Sequence, residues 1–291
     1  MIHDTRRRKK VWMLGILGLG CVLGFGIWYF DPVSREFTTN IDFLRKEITT
    51  EPNTTLDFLS DMASIFDGAR ASLLAVASGG RIVHVREGIR KEEVAELFAK
   101  HLDWDTSQKL AFALAPEGRY YPGTYGISAG KDEEIMRELM QHRFEREVEN
   151  RIASSTRRAI SLPVILKIAS LIEREAGGKS DMRLISGIIW NRTWKGMALQ
   201  IDATLQYAKG NQENGWWPII APEDKKIDSP YNTYLYKGFP PTAIASPGLA
   251  AIDAALNPVK TSCLFYLHDA RRKIHCSPTY KGHLKNINRY Y

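Results

Sequence analysis

The sequence lacks three features that would point to common classes of protein. It contains no internal repeat and no low-complexity run, and its 44% hydrophobic and 25% charged residues are typical of a globular protein with a sizeable core. Its net charge is +7, but residues 1–10 contribute +4, so the other 281 residues carry only +3 and nucleic acid is not an expected partner. Near the C-terminus, His268, His275 and His283 lack the spacing of metal ligands, so we expect no metal and no other cofactor.

Cysteine is scarce, with three residues in the chain. Cys21 falls in an apolar run near the N-terminus, whereas Cys263 and Cys276 bracket a segment with the pattern of a β-hairpin that turns near Asp269–Ala270. The two are nearly equidistant from that turn, so they could face each other across the strands. They form either a disulfide, which an extracytoplasmic compartment permits, or two buried free thiols, and the sequence leaves both open.

An uncharged run of 20 residues, Val11–Phe30, follows the basic cluster in residues 1–10. Its length suits one membrane span, and the preceding positive charges predict that the N-terminus stays in the cytoplasm. A cleaved signal peptide is the alternative, but the run is long for a signal core and no small-x-small cleavage site follows within residues 29–34. We therefore expect an uncleaved anchor, with the rest of the chain outside the cytoplasm.

The stretch Ser161–Gly178 predicts the helix around which the rest of the chain is organised. Pro163 suits a first turn, because its missing N–H would be unpaired there anyway, and Gly177 with Gly178 supplies a C-terminal stop. At about 100° per residue, one arc of this helix is apolar. The residues of the arc are Val164, Ile165, Ile168, Leu171, Ile172 and Ala176.

Two acids lie at the end of this helix, and helical geometry separates them. Glu175 falls in the middle of the apolar arc, whereas Glu173 lies outside it, on the side of Leu166 and Ser170, and is the more ordinary of the two. Burying an unpaired carboxylate is costly, so Glu175 is expected to have a partner, or a raised pKa and a catalytic role. A structural interpretation stays open here, in which Glu175 ends the buried stripe and is partly exposed or pairs with a basic group.

Other segments alternate helical patterns with short extended stretches and loops. Upstream, the predicted elements are helices at 36–48 and 56–69 in a stalk without an assigned function, a strand at 81–86, helices at 90–101 and 106–114, an aromatic-rich loop at 116–125, and a long helix at 131–158. The apolar side of the long helix would be formed by Ile135, Leu139, Phe144 and Val148.

Downstream of the central helix, Ser180 or Asp181 is expected to cap another helix. Residues 197–204 run extended into a helix, with Gln200 and Asp202 pointing to one side. Two loops rich in polar residues, Pro and Gly, at 229–234 and 238–248, are suited to form the rigid wall of a cleft. A short helix at 250–256, the cysteine hairpin and a tail close the chain.

Five ordered blocks downstream of Leu162 resemble those of one family. They are Ile168–Ala176, Ile189–Arg192, Gly196–Thr204, Tyr231–Tyr234 and Gly238–Gly248, with weaker similarity at Tyr121–Tyr125 and Val85–Gly88. In residues and order they are similar to the MltG (YceG-like) family of membrane-anchored endolytic peptidoglycan transglycosylases. The sequence departs from the usual family pattern at Ala176, where Thr is usual, and at Ala203, where Pro is usual.

The resemblance implies an α+β fold with a single N-terminal transmembrane helix, a small LysM-like α/β subdomain and a mixed α+β catalytic domain. The implied divisions are a cytoplasmic tail at 1–10, the transmembrane helix at 11–30, a membrane-proximal stalk or partial subdomain at 31–80, a LysM-like connecting subdomain at 81–160 and the catalytic domain at 161–291. A single-pass protein of the cell (inner) membrane is therefore expected, with peptidoglycan strands and peptidoglycan synthases as partners.

The resemblance also implies a reaction and its residues. The reaction is cleavage of the β-1,4 bond between N-acetylmuramic acid and N-acetylglucosamine in nascent peptidoglycan, which forms a 1,6-anhydro end and limits strand length. Glu175 would act first as acid and then as base. Substrate-binding groups are expected at Gln200, Asp202, Tyr231, Asn232, Thr233 and Ser246. The alternative is a non-catalytic peptidoglycan-binding or scaffold protein of the wall-synthesis machinery.

Overall fold

The computed structural model describes residues 80–127, 130, 132–154 and 160–291. These residues lie within one compact unit, Gly68–Tyr291. The predicted tail, the apolar run with Cys21, and the stalk with its two predicted helices lie outside the described residues, apart from residue 80. Within the described ranges, no helix combines the length and the apolar character needed to cross a bilayer.

Among the described residues, helices alternate with two small antiparallel sheets, which confirms the prediction of a mixed α+β fold. The strands are β1 (Arg81–Val85), β2 (Gly123–Ile127), β3 (Phe265–His268) and β4 (Ile274–Ser277). The α-helices are α1 (Lys91–Leu102), α2 (Thr106–Phe112), α3 (Glu133–Phe144), α4 (Asn150–Ser154), α5 (Leu162–Glu175), α6 (Met182–Trp194), α7 (Asp202–Lys209), α8 (Leu249–Leu256) and α9 (Tyr280–Tyr290). A π-helical stretch, Glu145–Glu149, links α3 to α4, and a 3₁₀ turn spans Pro222–Lys226.

The first buried cluster of the described residues lies between the antiparallel pair β1–β2 and helices α1 to α3. Val83 and Val85 are buried and alternate with exposed neighbours, as expected for a strand with one covered face. The aromatic-rich loop contributes Tyr120 and Tyr125 to this cluster, while Tyr121 packs against the second one. These tyrosines therefore pack in the protein interior.

The long helix predicted at 131–158 begins at Glu133, contains the π-helical stretch and buries a different face from the one predicted. Met136 and Met140 are fully buried, whereas Ile135 and Leu139, predicted for the apolar side, are 45% and 37% exposed. Phe144, four residues after Met140, is buried as predicted. The prediction was wrong for α3 because Met and Ile are equally apolar in the sequence, and the choice of face depends on which side α1 and α2 cover.

The second cluster surrounds α5, which packs against α6, α7 and α8. Ile165, Leu166, Ile168, Ala169, Ser170, Leu171 and Ile172 are all buried, so the helix is covered on more than the predicted arc. On the side of Leu166 and Ser170, the hydroxyl of Ser170 accepts a hydrogen bond from the backbone N–H of Ile244 at 3.0 Å. The side of α5 outside the predicted arc is therefore covered as well.

The ends of α5 only partly follow the prediction. Pro163 lies in the first turn, as expected. The helix ends at Glu175, before the glycines, because Ala176 is already extended with a ψ of 136°. Asp181 precedes α6 but does not cap it through its side chain, and its carboxylate instead accepts hydrogen bonds from the N–H groups of Gly177 and Gly178 at 3.0 and 3.3 Å. Asp181 thus holds the turn that leads out of α5.

A hairpin followed by a helix closes the chain. β3 pairs with β4, with Tyr266 opposite Cys276, and a disulfide joins Cys276 to Cys263, which lies two residues before β3. The segment predicted only as a tail is mostly helix α9, which begins where the Thr279 hydroxyl accepts a hydrogen bond from the N–H of Gly282 at 3.1 Å.

Candidate active site

Glu175 is the last residue of α5, and its partly buried side chain reaches towards the C-terminal hairpin. The hydroxyl of Tyr266, on β3, donates a hydrogen bond to Oε2 of Glu175 at 2.6 Å. Because the backbone turns extended at Ala176, the carboxylate projects from a helix end and not from the side of a continuing helix. The position that the sequence marked as unusual therefore lies beside a polar group from a distant segment.

The pKa of Glu175 is raised above its ordinary value. Burial of the carboxyl group is the largest cause, and the negative charge of Asp202 adds to it. The hydrogen bond from Tyr266, the charge of His268 and the backbone N–H of Ala203 act in the opposite direction without cancelling the effect of burial. The site therefore favours a neutral carboxylic acid, which is the form that can give up a proton.

Tyr266 is held in its protonated form. Burial, followed by the charge and the hydrogen bond of Glu175, raises the pKa of its hydroxyl well above the ordinary value for tyrosine. The hydroxyl is thus a donor to Glu175 over the whole physiological range of pH. His268, two residues further along β3, contacts the Tyr266 ring edge to face, and its Nε2 lies 2.7 Å from Oδ2 of Asp181.

A second carboxylate, Asp202, is exposed at the first residue of α7, where the helix N-terminus favours a negative charge. The hydroxyl of Tyr234 donates a hydrogen bond to its Oδ1 at 2.5 Å. Burial and the bond to Asp202 raise the pKa of Tyr234. Glu175 therefore accepts a hydrogen bond from Tyr266 on β3, and Asp202 accepts one from Tyr234 in a loop.

Arg192, on α6, ties the segment before α7 to the hairpin. Its guanidinium donates to the carbonyls of Leu199 and Leu264, both at 2.6 Å, and to Oε1 of Gln200 at 3.5 Å. Burial lowers the pKa of Arg192, while the neighbouring Tyr266, Tyr234 and Glu175 raise it. Gln200 has a left-handed φ of 54° and an exposed side chain, so the turn presents its amide beside Arg192.

The remaining predicted binding residues fall into two groups. Tyr231 is partly exposed, and its hydroxyl lies 2.9 Å from Oγ1 of Thr242, which joins the two Pro- and Gly-rich loops. In contrast, Asn232, Thr233 and Ser246 are buried, at 0%, 2% and 0% exposure. This structure presents none of those three side chains to a ligand in solvent.

The buried members of this set organise the loops around the site. The amide of Asn232 donates to the carbonyls of Lys225 and Ile227 at 3.1 and 2.8 Å, and its oxygen accepts from the N–H of Tyr234 at 2.9 Å. The hydroxyl of Thr233 accepts from the N–H of Ile201 at 3.0 Å. Asn232 and Thr233 thereby position Tyr234 and the start of α7, which carry the site's second acid.

Comparison with known proteins identifies the family of this chain. A sequence profile described as the YceG-like family matches residues 55–289, most of the chain. The chain belongs to the YceG-like family. A crystal structure of a YceG-like protein from Listeria monocytogenes aligns with a TM-score of 0.62 and 25% identity, over 70% of this chain and 75% of that one.

Curated relatives of this YceG-like chain are named endolytic murein transglycosylases. The protein from Bacillus subtilis is 34% identical over 176 residues, which is 60% of this chain and 48% of the relative. A protein from Streptococcus pneumoniae is 29% identical over 173 residues, which is 59% of this chain and 31% of the relative. The chain thus spans about half the length, or less, of the curated relatives it matches.

Glu173 of this YceG-like chain is not the ordinary acid that its place on the helix predicted. Its Oε2 accepts a hydrogen bond from the N–H of Gly248 at 3.0 Å, and burial, with the charge of Glu87 as a smaller cause, raises its pKa. Glu173 contacts the backbone where residues 87–89 meet residues 246–248, whereas Glu175 contacts the hairpin. The two acids therefore differ in surroundings, not in whether they are buried.

Arg174, between the two acids, fixes the end of α5 to the first cluster. Its guanidinium lies 3.7 Å above the ring of Trp217 and donates to the carbonyl of Gly88 at 3.2 Å. Trp217 in turn donates from Nε1 to Glu93 of α1 at 2.8 Å. These contacts make α1 and the β1–α1 turn part of the support of the candidate site.

Four residues around the site had no role in the sequence-based prediction. Arg192 and Tyr234 lie inside the blocks that carry the family resemblance, but the sequence did not indicate what either side chain does. Tyr266 and His268 had no signal beyond the hairpin pattern, because their contact with Glu175 and Asp181 joins segments 91 and 87 residues apart.

Proposed function

We propose that this chain is a lytic transglycosylase that cleaves the β-1,4 bond between N-acetylmuramic acid and N-acetylglucosamine in peptidoglycan. The observation that carries the proposal is the carboxyl group of Glu175, which has a raised pKa and sits beside a tyrosine donor and a second, exposed acid. Membership of the YceG-like family and the names of the curated relatives support the same reaction.

In the first step, protonated Glu175 gives its proton to the glycosidic oxygen as the bond from that oxygen to C1 of the muramic acid breaks. The raised pKa of Glu175 supports this role, since it keeps the acid neutral nearer to neutral pH. Glu175, now a carboxylate, takes the proton of the C6 hydroxyl of the same sugar. The C6 oxygen then closes on C1, which gives a 1,6-anhydro end without consuming water.

The hydrogen bond from Tyr266 supports the second half of the reaction. A donor to a carboxylate stabilises the charged form, so Tyr266 offsets part of the cost of leaving a negative charge on Glu175 in a buried place. Burial favours the neutral form of Glu175, whereas the hydrogen bond from Tyr266 favours its charged form. An acid that must first release and then recover a proton needs neither state to be strongly preferred.

Gln200, Asp202 and Tyr231 are the substrate-binding residues in this proposal. Gln200 and Asp202 are exposed and Tyr231 is partly exposed, so their amide, carboxylate and hydroxyl groups are available to sugar hydroxyl and acetamido groups. Asn232 and Thr233 are proposed to act indirectly, through the shape of the loops that hold Tyr234 and α7. Ser246 is proposed to act through its backbone, which pairs with Gly88 and Ile89.

We further propose that residues 11–30 anchor the chain in the cell (inner) membrane, with residues 1–10 in the cytoplasm and the described part outside it. In this arrangement residues 31–80 are a stalk, residues 81–160 a LysM-like connecting subdomain and residues 161–291 the catalytic domain. Such an enzyme would act on nascent strands close to the membrane and to peptidoglycan synthases, and would limit strand length.

The test is mass spectrometry of the fragments that the purified chain releases from peptidoglycan. We expect fragments with 1,6-anhydromuramic ends, and we expect Glu175→Gln to lower their rate of release by at least about a hundredfold, since the variant has no proton to give. Glu173→Gln is the matched control, because its amide oxygen still accepts the hydrogen bond from Gly248.

Three results would overturn the proposal. Fragments with water-added reducing ends would indicate a hydrolase, and binding to peptidoglycan without any release would indicate a scaffold protein. Loss of release in Glu173→Gln but not in Glu175→Gln would assign the reaction to the other acid.

A further inference from the structure

Helix α9 carries an apolar stripe that lies open to solvent. Tyr280, Leu284, Ile287 and Tyr291 follow each other at spacings of four, three and four residues, which places them on one face of a helix. Their exposed fractions are 61%, 42%, 36% and 88%. We call these four residues the α9 stripe.

A neighbouring face holds α9 against the hairpin. His283 stacks on Phe265 with ring centroids 5.6 Å apart, and Tyr290 stacks on His275 at 3.7 Å. These contacts lie near both ends of the helix and fix its rotation about its own axis. The α9 stripe is therefore presented to the outside by the packing of its own helix.

Positive charge is concentrated on the polar side of α9 and in the turn of the hairpin. Lys281, Lys285 and Arg289 of α9 are exposed, and so are Arg271, Arg272 and Lys273 in the turn of the hairpin. Residues 269–291 thus contain six basic side chains and one acid, a net charge of +5 in a chain whose total is +7. That acid, Asp269, pairs with His275 at 2.9 Å and not with any of the six.

We propose that α9 and the hairpin turn form a binding surface for an anionic lipid bilayer. The α9 stripe would lie in the interface between headgroups and acyl chains, with tyrosines at its two ends and aliphatic side chains between them, and the six basic residues would contact headgroup phosphates. A helix that combines an apolar stripe with a basic face binds bilayer surfaces in this way.

The distribution of the cations favours a bilayer over a groove on another protein. A groove on another protein would bind a single helix along its length. Here the basic residues lie on two separate elements, α9 and the turn of the hairpin. Such an array suits an extended charged plane. Each cation near an anionic membrane surface contributes roughly a fivefold gain in affinity.

The consequence concerns the place of the candidate active site. The hairpin on which α9 packs carries Tyr266, so a bilayer contact through α9 would hold the site close to the lipid surface. The proposal does not rest on the reaction, because binding to lipid is measured without turnover.

The experiment uses the full-length chain reconstituted in phosphatidylcholine nanodiscs, with and without phosphatidylglycerol. Ile287 is replaced by the photo-crosslinking residue p-benzoylphenylalanine. In a separate control Leu114, which lies just after α2 and is 80% exposed, is replaced in the same way. We expect lipid adducts at position 287 in discs with phosphatidylglycerol, a yield that falls as salt rises, and no more than background at position 114.

Charge variants complete the test. The triple variant Lys281→Gln, Lys285→Gln and Arg289→Gln should lower the adduct yield about tenfold or more. Lys195→Gln, Lys226→Gln and Lys260→Gln, which removes three exposed cations elsewhere, should leave the yield unchanged. Equal yields at positions 287 and 114, independence from phosphatidylglycerol, or adducts to protein in place of lipid would each overturn the proposal.

Discussion

The hydroxyl of Tyr266 lies 2.6 Å from Oε2 of Glu175, so a strand of the C-terminal hairpin meets the end of the central helix at one hydrogen bond. Burial of Glu175 favours the neutral acid, and this bond favours the carboxylate. Asp202 acts in the same direction as burial, through its charge. The pKa of Glu175 is therefore adjustable by single substitutions that leave Glu175 itself in place.

Tyr266→Phe should raise the pKa of Glu175 further, because it removes a donor to the carboxylate. Glu175 must be protonated to act as an acid, so the limb of the pH–rate profile that falls with rising pH should move to higher pH, by about one pH unit. The turnover number should fall, because the carboxylate formed in the first step loses its stabilising donor. The profile is measured by release of anhydro-ended fragments.

Tyr236→Phe is the control for this prediction, since Tyr236 also donates to a carboxylate, that of Asp228 at 2.6 Å, and the bond lies outside the contacts of Glu175. Its profile should coincide with that of the unchanged chain. A profile for Tyr266→Phe that falls in amplitude without moving along the pH axis would contradict the assignment.

Asp202→Asn should move the same limb in the opposite direction. The negative charge of Asp202 raises the pKa of Glu175, so its removal lowers that pKa and reduces the protonated fraction near neutral pH. The expected shift is to lower pH, accompanied by a higher KM because the carboxylate no longer accepts from sugar hydroxyls. A shift to higher pH would show that Asp202 does not act on Glu175 through its charge.

Gly177→Ala should destabilise the contact between the α5–α6 turn and the hairpin. An added Cβ would lie 2.7 Å from the carbonyl oxygen of Arg272 and 2.9 Å from Cδ2 of His268. The backbone carbonyl has little room to move, so the free energy of unfolding should fall by about 1–3 kcal/mol. Because the hairpin must move to make space, fragment release should slow as well.

Gly178→Ala is the matched control one residue along, since a Cβ there would meet nothing within 4 Å. Its unfolding free energy should stay within about 1 kcal/mol of the unchanged chain. Equal losses of stability in the two variants, measured by urea unfolding, would refute the close approach at Gly177.

Glu117→Gln should change the pH dependence of stability. Glu117 is 5% exposed, and burial, with the charge of Glu92 as the next cause, raises its pKa from 4.5 to about 8. The folded state therefore holds a proton that the unfolded state releases above pH 4.5, so stability is lost as pH rises from 4.5 to 8. The variant lacks this loss, on the order of 1.4 kcal/mol for each pH unit of the shift.

Urea unfolding at several pH values between 5 and 9 tests this prediction. The difference in unfolding free energy between Glu117→Gln and the unchanged chain should grow with pH in favour of the variant. Glu138→Gln, on the exposed face of α3, is the control, because it makes the same substitution at a carboxyl group in contact with solvent. A constant difference for Glu117→Gln would mean that Glu117 is ionised in the folded state throughout.

The sequence predicted those parts of the site that follow from local periodicity. Glu175 stood out because helical spacing placed it on an apolar arc, four of whose six residues are buried in the structure. The side occupied by Glu173 could not be judged in that way, because it is covered by backbone from Gly248 and Gly88, far along the chain. Local pattern shows that a face is apolar, but not what covers the other faces.

The sequence could not separate exposed polar residues from buried ones for the same reason, because contacts with distant segments decide which side chains are covered. Asn232, Thr233 and Gln200 look alike as hydrogen-bonding groups in a polar loop, yet the first two are buried and satisfied by backbone partners, whereas Gln200 is exposed. Tyr266 could be found only from the packing of the hairpin against α5. Met136 and Ile135 are similarly indistinguishable until the neighbouring helices select a face.

The hairpin has a consequence for the order in which the site is completed during synthesis. The donor to Glu175 is made 91 residues after the acid, so a chain that has reached only α8 already contains the acid but not the group that stabilises its charged form. Closure of the Cys263–Cys276 disulfide comes later still, ten residues after Tyr266. The site is thus completed by a segment that is made well after the acid, and a product that terminates before Tyr266 would carry its acid without the donor.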